Sequence, residues 1–195
     1  MRIGLVSDTH GFFDERMEKA LAGVEAILHA GDVGTESVLD RLALIAPTRA
    51  VRGNVDAVEM GLPASLSMEV EGNSLEMLHI LPAPQAQLQA WACEGALSKL
   101  AARQRDRFLS SFAPASRIVL FGHSHQPGIY QLGRRLFINP GSAGKKRFSL
   151  PCCCGVMEMS GGIVEVKITS LEDYNEIMSS RLNPEGSPHV HTEKY

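Results

Sequence analysis

The amino-acid sequence predicts an α/β protein in which two β-sheets stack on each other between outer helices. The first 52 residues alternate short apolar runs with stretches of helical spacing, the pattern of strands joined by helices. From residue 66 onward, a hairpin signal and several short apolar runs indicate a second group of strands. With 195 residues, 44% of them hydrophobic, the chain is long enough to bury a core between such layers.

The first part of the chain is predicted to be a β-α-β-α-β unit. Its strands are rich in Ile, Leu, Val and Ala and are expected at residues 2–7, 25–30 and 48–52. Its helices, at 13–24 and 35–46, carry apolar residues on one face. Such connections are right-handed and require parallel strands. Ligands in these sheets bind beyond the carboxyl ends of the strands.

The remaining chain is predicted to contain a hairpin, a helical stretch at 87–112 that Gly95 could interrupt, and a meander of short strands. The strands are expected at 66–70, 74–80, 117–121, 128–132, 135–139, 153–159 and 163–169. The segment 80–115 could form a cap over the site, a contact between subunits, or an ordinary packed helix. One domain is expected over residues 1–171, followed by a loosely attached polar tail at 172–195.

Charge and composition disfavour several classes of partner. The net charge of −3 and the pI near 6.2 provide no basic field for a nucleic-acid polymer. No apolar run approaches the roughly 20 residues that span a bilayer. The first residues lead directly into Asp8 without the regions of a secretory signal, so a cytoplasmic location is expected. Cys93 and the consecutive Cys152, Cys153 and Cys154 lack metal-site spacing, and a structural or inert role is expected for them.

Five short clusters of potential metal ligands follow predicted strands. Since strand ends meet at one edge of a sheet, the clusters are expected to converge. They contain carboxylate, imidazole and amide groups but no thiolate, a mixture that suits Mn, Fe, Zn or Ni better than Ca²⁺ or a structural zinc. Too numerous for one ion, the ligands indicate two ions with one bridging carboxylate. The candidates are Asp8, His10, Asp32, Asn54, His79, His123 and His125.

The other histidines and the basic residues have less specific explanations. His29 precedes Gly31 by two residues and is expected to be buried beneath the site as a supporting or core residue. His189 and His191 lie in the predicted tail and are expected to be exposed. Lys145, Lys146 and Arg147 either assist substrate binding or form a solvated surface cluster.

Together these motifs resemble those of the calcineurin-like metallophosphoesterases, specifically the small stand-alone bacterial and archaeal phosphodiesterases. The matching residues run from Asp8 to Ser142. The resemblance implies a four-layer α/β/β/α sandwich with a binuclear metal centre. It assigns Asp32 as the bridge between the ions. It places Asp8, His10 and His125 on the first ion, and Asn54, His79 and His123 on the second.

The resemblance also implies an activity. A metal-bridging hydroxide would hydrolyse a small phosphate ester, preferably a phosphodiester. Two divalent ions are implied as cofactors, with manganese preferred and iron, zinc, nickel or cobalt as alternatives. A homo-oligomer is left open. The catalytic residues implied are Asp8, Asp32, Asn54 and His123.

Two positions depart from the pattern of the family, and one further loop agrees with it. Val55 occupies the place of a histidine that is thought to protonate the leaving group in many larger relatives. Ile80 follows His79 where the family usually has glycine. The run Asn139-Pro140-Gly141-Ser142 matches a loop near the site, and a structural role is expected for it first.

An alternative function is a catalytically weak scaffold, because the same fold occurs in membrane-trafficking coats with a degraded site. That scaffold typically lacks one of the histidines, whereas His10, His79, His123 and His125 are all present here. A nucleotide-binding α/β protein is disfavoured because no Gly-x-Gly-x-x-Gly or phosphate-loop sequence follows a strand. The enzyme is therefore the preferred hypothesis.

Overall fold

The structure is a computed structural model that describes residues 1–94, 98–146, 149–183 and 188–192. Its helices are α1 (Arg16–Ala20), α2 (Glu36–Ala43), α3 (Gln85–Glu94) and α4 (Lys99–Leu109), with a short 3₁₀ helix at Val58–Met60. Its first strands are β1 (Arg2–Val6), β2 (Ala26–His29), β3 (Thr48–Ala50), β4 (Ser65–Val70), β5 (Asn73–Leu78) and β6 (Ser116–Leu120). The later strands are β7 (Gly128–Leu132), β8 (Arg135–Asn139), β9 (Cys153–Ser160), β10 (Ile163–Ser170), β11 (Glu176–Leu182) and β12 (Pro188–Thr192).

These strands form two sheets. The seven-stranded sheet has the order β12-β11-β10-β9-β1-β2-β3, and the five-stranded sheet has the order β4-β5-β6-β8-β7. Strands β1, β2 and β3 are parallel, which confirms the predicted β-α-β-α-β unit. Strands β5, β6 and β8 are parallel in the second sheet. The later strands do not form a single meander, because β7 and β8 join β6 whereas β9 and β10 join β1.

Strand alternation produces the layers. Leu5 on β1 and Ile118 on β6 both belong to the core between the sheets, while their neighbours Val6 and Val119 point to the opposite faces. Helices α1 and α2 cover the outer face of the seven-stranded sheet, and α3 and α4 cover the outer face of the five-stranded sheet. The four-layer α/β/β/α sandwich is therefore confirmed.

The segment 80–115 packs as helices. The buried rings of Phe108 and Phe112 contact Phe137 on β8, and Trp91 contacts Phe108, with neighbouring ring centroids 5.2–5.4 Å apart. Of the three alternatives for this segment, the structure supports ordinary packing for its aromatic residues. The helical stretch predicted at 87–112, with an allowed interruption near Gly95, forms two helices, and residues 95–97 between them lie outside the described part of the chain.

The prediction of a loosely attached tail from residue 172 is corrected by strand β11. This strand pairs with β10 in antiparallel register from Thr169↔Glu176 to Val164↔Leu182. Ile177 and Leu182 are buried in the core between the sheets. The error arose because β11 carries few apolar residues, so its composition resembles that of a polar tail. None of the described helices is long and apolar enough to cross a membrane.

Candidate metal centre

The predicted ligands converge where the parallel strands of both sheets end. Asp8 follows β1, Asp32 follows β2 and Asn54 follows β3 in the seven-stranded sheet. His79 follows β5, and the loop with His123 and His125 follows β6, in the five-stranded sheet. Each sheet thus contributes part of one site, as expected from the rule that ligands bind beyond the carboxyl ends of such strands.

The first group of donors contains Asp8, His10 and His125. Their ligand atoms all lie within 4.8 Å of one another. The Nε2 atoms of His10 and His125 are 3.0 Å apart, and Nε2 of His125 is 3.4 Å from Oδ1 of Asp8. Two ring nitrogens and a carboxylate oxygen facing one point make a donor set that could hold a divalent ion.

The second group of donors contains Asp8, Asp32 and His79. Nδ1 of His79 donates to the carbonyl oxygen of Ala30 at 2.8 Å. Nε2 is buried, has no hydrogen-bond partner within the described part of the chain and lies 3.3 Å from Oδ1 of Asp32. A buried polar atom without a partner is costly, and metal-binding histidines commonly donate their other N–H to a carbonyl. His79 therefore has the surroundings of a metal ligand.

Asn54 and His123 lie beside the second group. Oδ1 of Asn54 is 3.0 Å from Nδ1 of His123, and the ring of His123 contacts the ring of His79 edge-on at 5.3 Å. Both side chains are on the exposed side of the site. The structure thus brings together the set predicted for a second ion.

Asp32 lies between the two groups. Its Oδ1 accepts a hydrogen bond of 3.1 Å from the backbone N–H of Val55 and faces His79, whereas its Oδ2 is 3.8 Å from Nε2 of His10. One carboxylate oxygen is thus directed towards each group, an arrangement compatible with a bridging role.

The candidate ligands share an unusual backbone conformation. Non-glycine residues rarely adopt positive φ, and such conformations cluster at functional sites. The left-handed candidate ligands are Asp8 (55°), His10 (48°), Asp32 (55°), His123 (72°) and His125 (60°). Glycine is required beside two of the ligands for a steric reason. A Cβ on Gly53 would collide with Oδ1 of Asp32, and one on Gly122 would collide with Oγ of Ser7.

The two carboxylates have different electrostatic surroundings. Burial raises the pKa of Asp8 to about 6, although the hydrogen bond from Ser7 opposes this shift. Burial also acts to raise the pKa of Asp32, but the adjacent imidazole of His79 and the N–H of Val55 outweigh it and lower the pKa to about 2. In His79, burial opposes the charged form, but Asp32 and the carbonyl of Ala30 raise the pKa.

Two buried residues support the ligand loops. His29 lies beneath the site as predicted: Nδ1 accepts from the N–H of Gly31 at 3.2 Å, and Nε2 lies 2.9 Å from Oγ1 of Thr9. Asp56 accepts hydrogen bonds from the N–H of Gly34 at 2.7 Å and from that of Gly53 at 2.8 Å. It therefore ties the loop of Asp32 to the loop of Asn54.

Gln85 supports the histidine loop and was missed by sequence reasoning. Its Nε2 donates to the carbonyl of Gln126 at 3.0 Å and to the hydroxyl of Tyr130 at 2.9 Å. Its Oε1 accepts from Oγ of Ser124 and from Nδ2 of Asn139. All four hydrogen-bonding positions of the amide are therefore used. A glutamine between prolines and a helix carries no motif that could have indicated this role.

The loop Asn139-Pro140-Gly141-Ser142 has the structural role expected for it. Nδ2 of Asn139 donates to the carbonyl of Gly122 at 3.0 Å, and Oγ of Ser142 donates to the carbonyl of Asp8 at 2.8 Å. The loop therefore fastens a ligand loop of one sheet to a ligand loop of the other.

The basic run near this loop is exposed where it is described. Lys146 pairs with Glu172 at 2.7 Å, and Nζ of Lys145 lies 5.5 Å above the ring of Phe12. Arg147 lies outside the described residues, as do the side chains of His189 and His191.

All four cysteines are free thiols, and Cys152, Cys153 and Cys154 are buried. Burial raises the pKa of the Cys154 thiol to about 12, so this thiol stays protonated and unreactive. A structural role for the consecutive cysteines agrees with this environment.

The sequence relationships agree with the geometry. Residues 1–162 match the model of the calcineurin-like phosphoesterase superfamily domain. The chain belongs to this family. A probable metallophosphoesterase from the archaeon Methanothermobacter thermautotrophicus is 29% identical over 174 residues, which cover 86% of this chain and 91% of that protein. This family membership confirms the resemblance drawn from the ligand motifs.

Solved structures of other proteins share the fold of this calcineurin-like phosphoesterase. A Vps29 variant from Entamoeba histolytica has a TM-score of 0.68 at 18% identity, covering 93% of this chain and 98% of the other. Yfce, a phosphoesterase from E. coli, has a TM-score of 0.60 at 20% identity, covering 92% and 98%. At these identities the likeness concerns the fold alone.

Proposed function

We propose that this calcineurin-like phosphoesterase is a phosphodiesterase with a binuclear metal centre. Asp8, His10 and His125 would hold one ion, and Asn54, His79 and His123 the other, with Asp32 between them. The buried Nε2 of His79, for which the described residues offer no hydrogen-bond partner, supports this proposal most directly. The two donor groups that share Asp8 also support it.

Two divalent ions at such a site supply a nucleophile from water near neutral pH and neutralise phosphoryl oxygens. Asp8 and Asp32 carry the only carboxylates among the proposed ligands, so a loaded site keeps net positive charge that attracts a phosphate ester. The pKa of about 2 keeps Asp32 ionised at neutral pH, so that each of its two carboxylate oxygens could bind a positively charged ion. The role of Asp32 and the other proposed ligands would be to hold the ions in place beside the ester.

Position 55 of this site offers no group that could protonate the leaving group. Val55 is 51% exposed and has no proton to donate from its side chain. Esters whose leaving alcohol departs as a stable anion should therefore react faster than esters with poor leaving groups. This supports hydrolysis of activated esters and only modest activity on unactivated monoesters.

Substitution of Asp32 tests the proposal. We expect Asp32→Asn to lower kcat/KM for bis(p-nitrophenyl) phosphate by about 100-fold or more in Mn²⁺-supplemented protein, because several kcal/mol of transition-state stabilisation depend on the ions. Elemental analysis of the same protein should show reduced metal content. The matched control is Asp40→Asn, an exposed carboxylate on α2. Undiminished turnover in Asp32→Asn would exclude the two-ion mechanism.

Several predictions from the sequence remain proposals. Manganese is the preferred ion, the substrate is a small ester, and the cytoplasm is the expected location. A homo-oligomer is left open. The scaffold alternative would gain support if protein with both sites loaded hydrolysed neither diesters nor monoesters.

A further inference from the structure

We propose that Phe12, Val55 and Ile80 form an apolar rim around the metal centre that binds an aromatic or other apolar substituent of a phosphodiester. This inference rests on the proposed function, whose substrate class it narrows. Because of the apolar rim, the protein would bind diesters with such a substituent more tightly than diesters with small polar or methyl groups.

The first observation is where large hydrophobic side chains are exposed. Within the described part of the chain, seven such side chains are exposed, and most large apolar residues are buried. Phe12 is 36% exposed, Val55 51% and Ile80 49%. Each lies within two residues of a proposed ligand, on a different loop. Scattered exposed hydrophobic residues need no explanation, but their concentration beside one polar site does.

The second observation is that the three loops surround one carboxylate. The N–H of Val55 donates to Oδ1 of Asp32 at 3.1 Å. Nε2 of His79, the residue before Ile80, lies 3.3 Å from the same oxygen. Nε2 of His10 lies 3.8 Å from Oδ2. The chain then turns at the next residues, where the N–H of Phe12 donates to the carbonyl of Thr9 at 2.9 Å.

The chemistry of this arrangement favours one kind of ligand. Binding sites are usually apolar, with a few polar groups that orient the ligand. Here the polar groups would bind the phosphate, and the apolar rim would contact whatever the ester carries beyond it. Nζ of Lys145, 5.5 Å above the ring of Phe12, adds positive charge beside an aromatic face. An anionic diester with an aromatic substituent complements both features.

Equilibrium binding to Mn²⁺-loaded protein tests the apolar rim without requiring turnover. Diphenyl phosphate and dimethyl phosphate have the same charge and differ only in their substituents. We expect diphenyl phosphate to bind at least about tenfold more tightly by titration calorimetry, since even small changes in an apolar ligand group alter binding by such factors. Phe12→Ser, Val55→Ser and Ile80→Ser should each reduce the affinity ratio severalfold.

The control is Leu44→Ser, because Leu44 is 83% exposed and lies at the end of α2, away from the ligand loops. Its affinity ratio should equal that of the unsubstituted protein. Equal affinities for the two diesters, or a ratio that the three rim substitutions leave unaltered, would overturn the inference. Hydrolysis of bis(p-nitrophenyl) phosphate, measured separately, tests the proposed function. If the protein hydrolyses this ester but binds diphenyl and dimethyl phosphate equally, the apolar rim is excluded and the phosphodiesterase proposal stands. If it binds diphenyl phosphate selectively but hydrolyses no diester, the phosphodiesterase proposal is excluded and the apolar rim stands.

Discussion

Five of the proposed ligands have a positive φ, a backbone conformation that residues other than glycine rarely adopt. Such residues cost on the order of 1–3 kcal/mol each and persist only where neighbouring contacts hold them. Here the N–H of Asp8 donates to the carbonyl of Gly31 at 3.0 Å, and that of His10 donates to the carbonyl of Asp32 at 2.9 Å. The loops after β1 and β2 therefore brace each other, and the ligands are oriented by the backbone before any ion binds.

His29 makes the stability of the protein depend on pH. Burial lowers its pKa from 6.5 to about 4. The unfolded chain therefore binds a proton more readily than the folded one between these values, and stability present above pH 6.5 is lost as the pH falls towards 4. In chelator-treated protein, this histidine should account for a loss of about 2 kcal/mol between pH 8 and pH 5.

His29→Asn tests this prediction by urea unfolding at both pH values. Asparagine has no titratable group and can still accept from the N–H of Gly31. The variant should be less stable at pH 8 but should lose about 2 kcal/mol less than the parent between pH 8 and pH 5. Because every other titrating group is common to both proteins, equal losses would exclude His29 as the source.

At the scale of elements, helix α3 acts on the site through its first residue. Gln85 holds Ser124, which lies between His123 and His125, and also holds Asn139. We expect Gln85→Ala to destabilise the protein by about 1–3 kcal/mol, because the hydrogen bonds of its amide with the hydroxyls of Ser124 and Tyr130 are lost. It should also weaken Mn²⁺ binding about tenfold, as loss of groups that orient metal ligands commonly does.

Gln87→Ala is the matched control, since Gln87 is exposed on the same helix. Titration calorimetry of Mn²⁺ binding distinguishes a positioning role from a structural one. If Gln85→Ala lowered the free energy of unfolding but left the Mn²⁺ dissociation constant at the control value, Gln85 would only stabilise the helix layer.

The same elements show what could be predicted from the sequence. Asp8, Asp32 and Asn54 were predictable as neighbours because each follows an apolar strand in a pattern that imposes parallel pairing. Gln85 was not, because its contacts with Ser124 and Asn139 join residues 39 and 54 positions apart through side chains alone. The division of the later strands between two sheets was equally hidden, since hairpin signals do not specify the next partner.

At the scale of the whole molecule, strand β11 should be necessary for stability. Ile177 and Leu182 fill the core between the sheets, and burial of such side chains contributes about 1.5–3 kcal/mol each. A chain ending at residue 171 should therefore lose several kcal/mol, out of the roughly 5–15 typical of a domain. Thermal unfolding should show a lowered Tm or no cooperative transition.

A chain ending at residue 183, which keeps β11, is the appropriate comparison. It should retain more of the parent's stability than the shorter chain does. Equal unfolding temperatures for the chains ending at 171 and 183 would restore the prediction that the segment after residue 171 is a loosely attached tail.

Both donor groups draw on both sheets. Asp8 and His10 follow a strand of one sheet and His125 a strand of the other, and Asp32 and His79 are divided in the same way. An ion bound by either donor group would therefore link the seven-stranded sheet to the five-stranded sheet. Occupancy of the site and cohesion of the two sheets would then be thermodynamically linked, with each stabilising the other by mass action. The supply of metal ions would therefore affect the free energy of unfolding of the protein as well as its proposed activity.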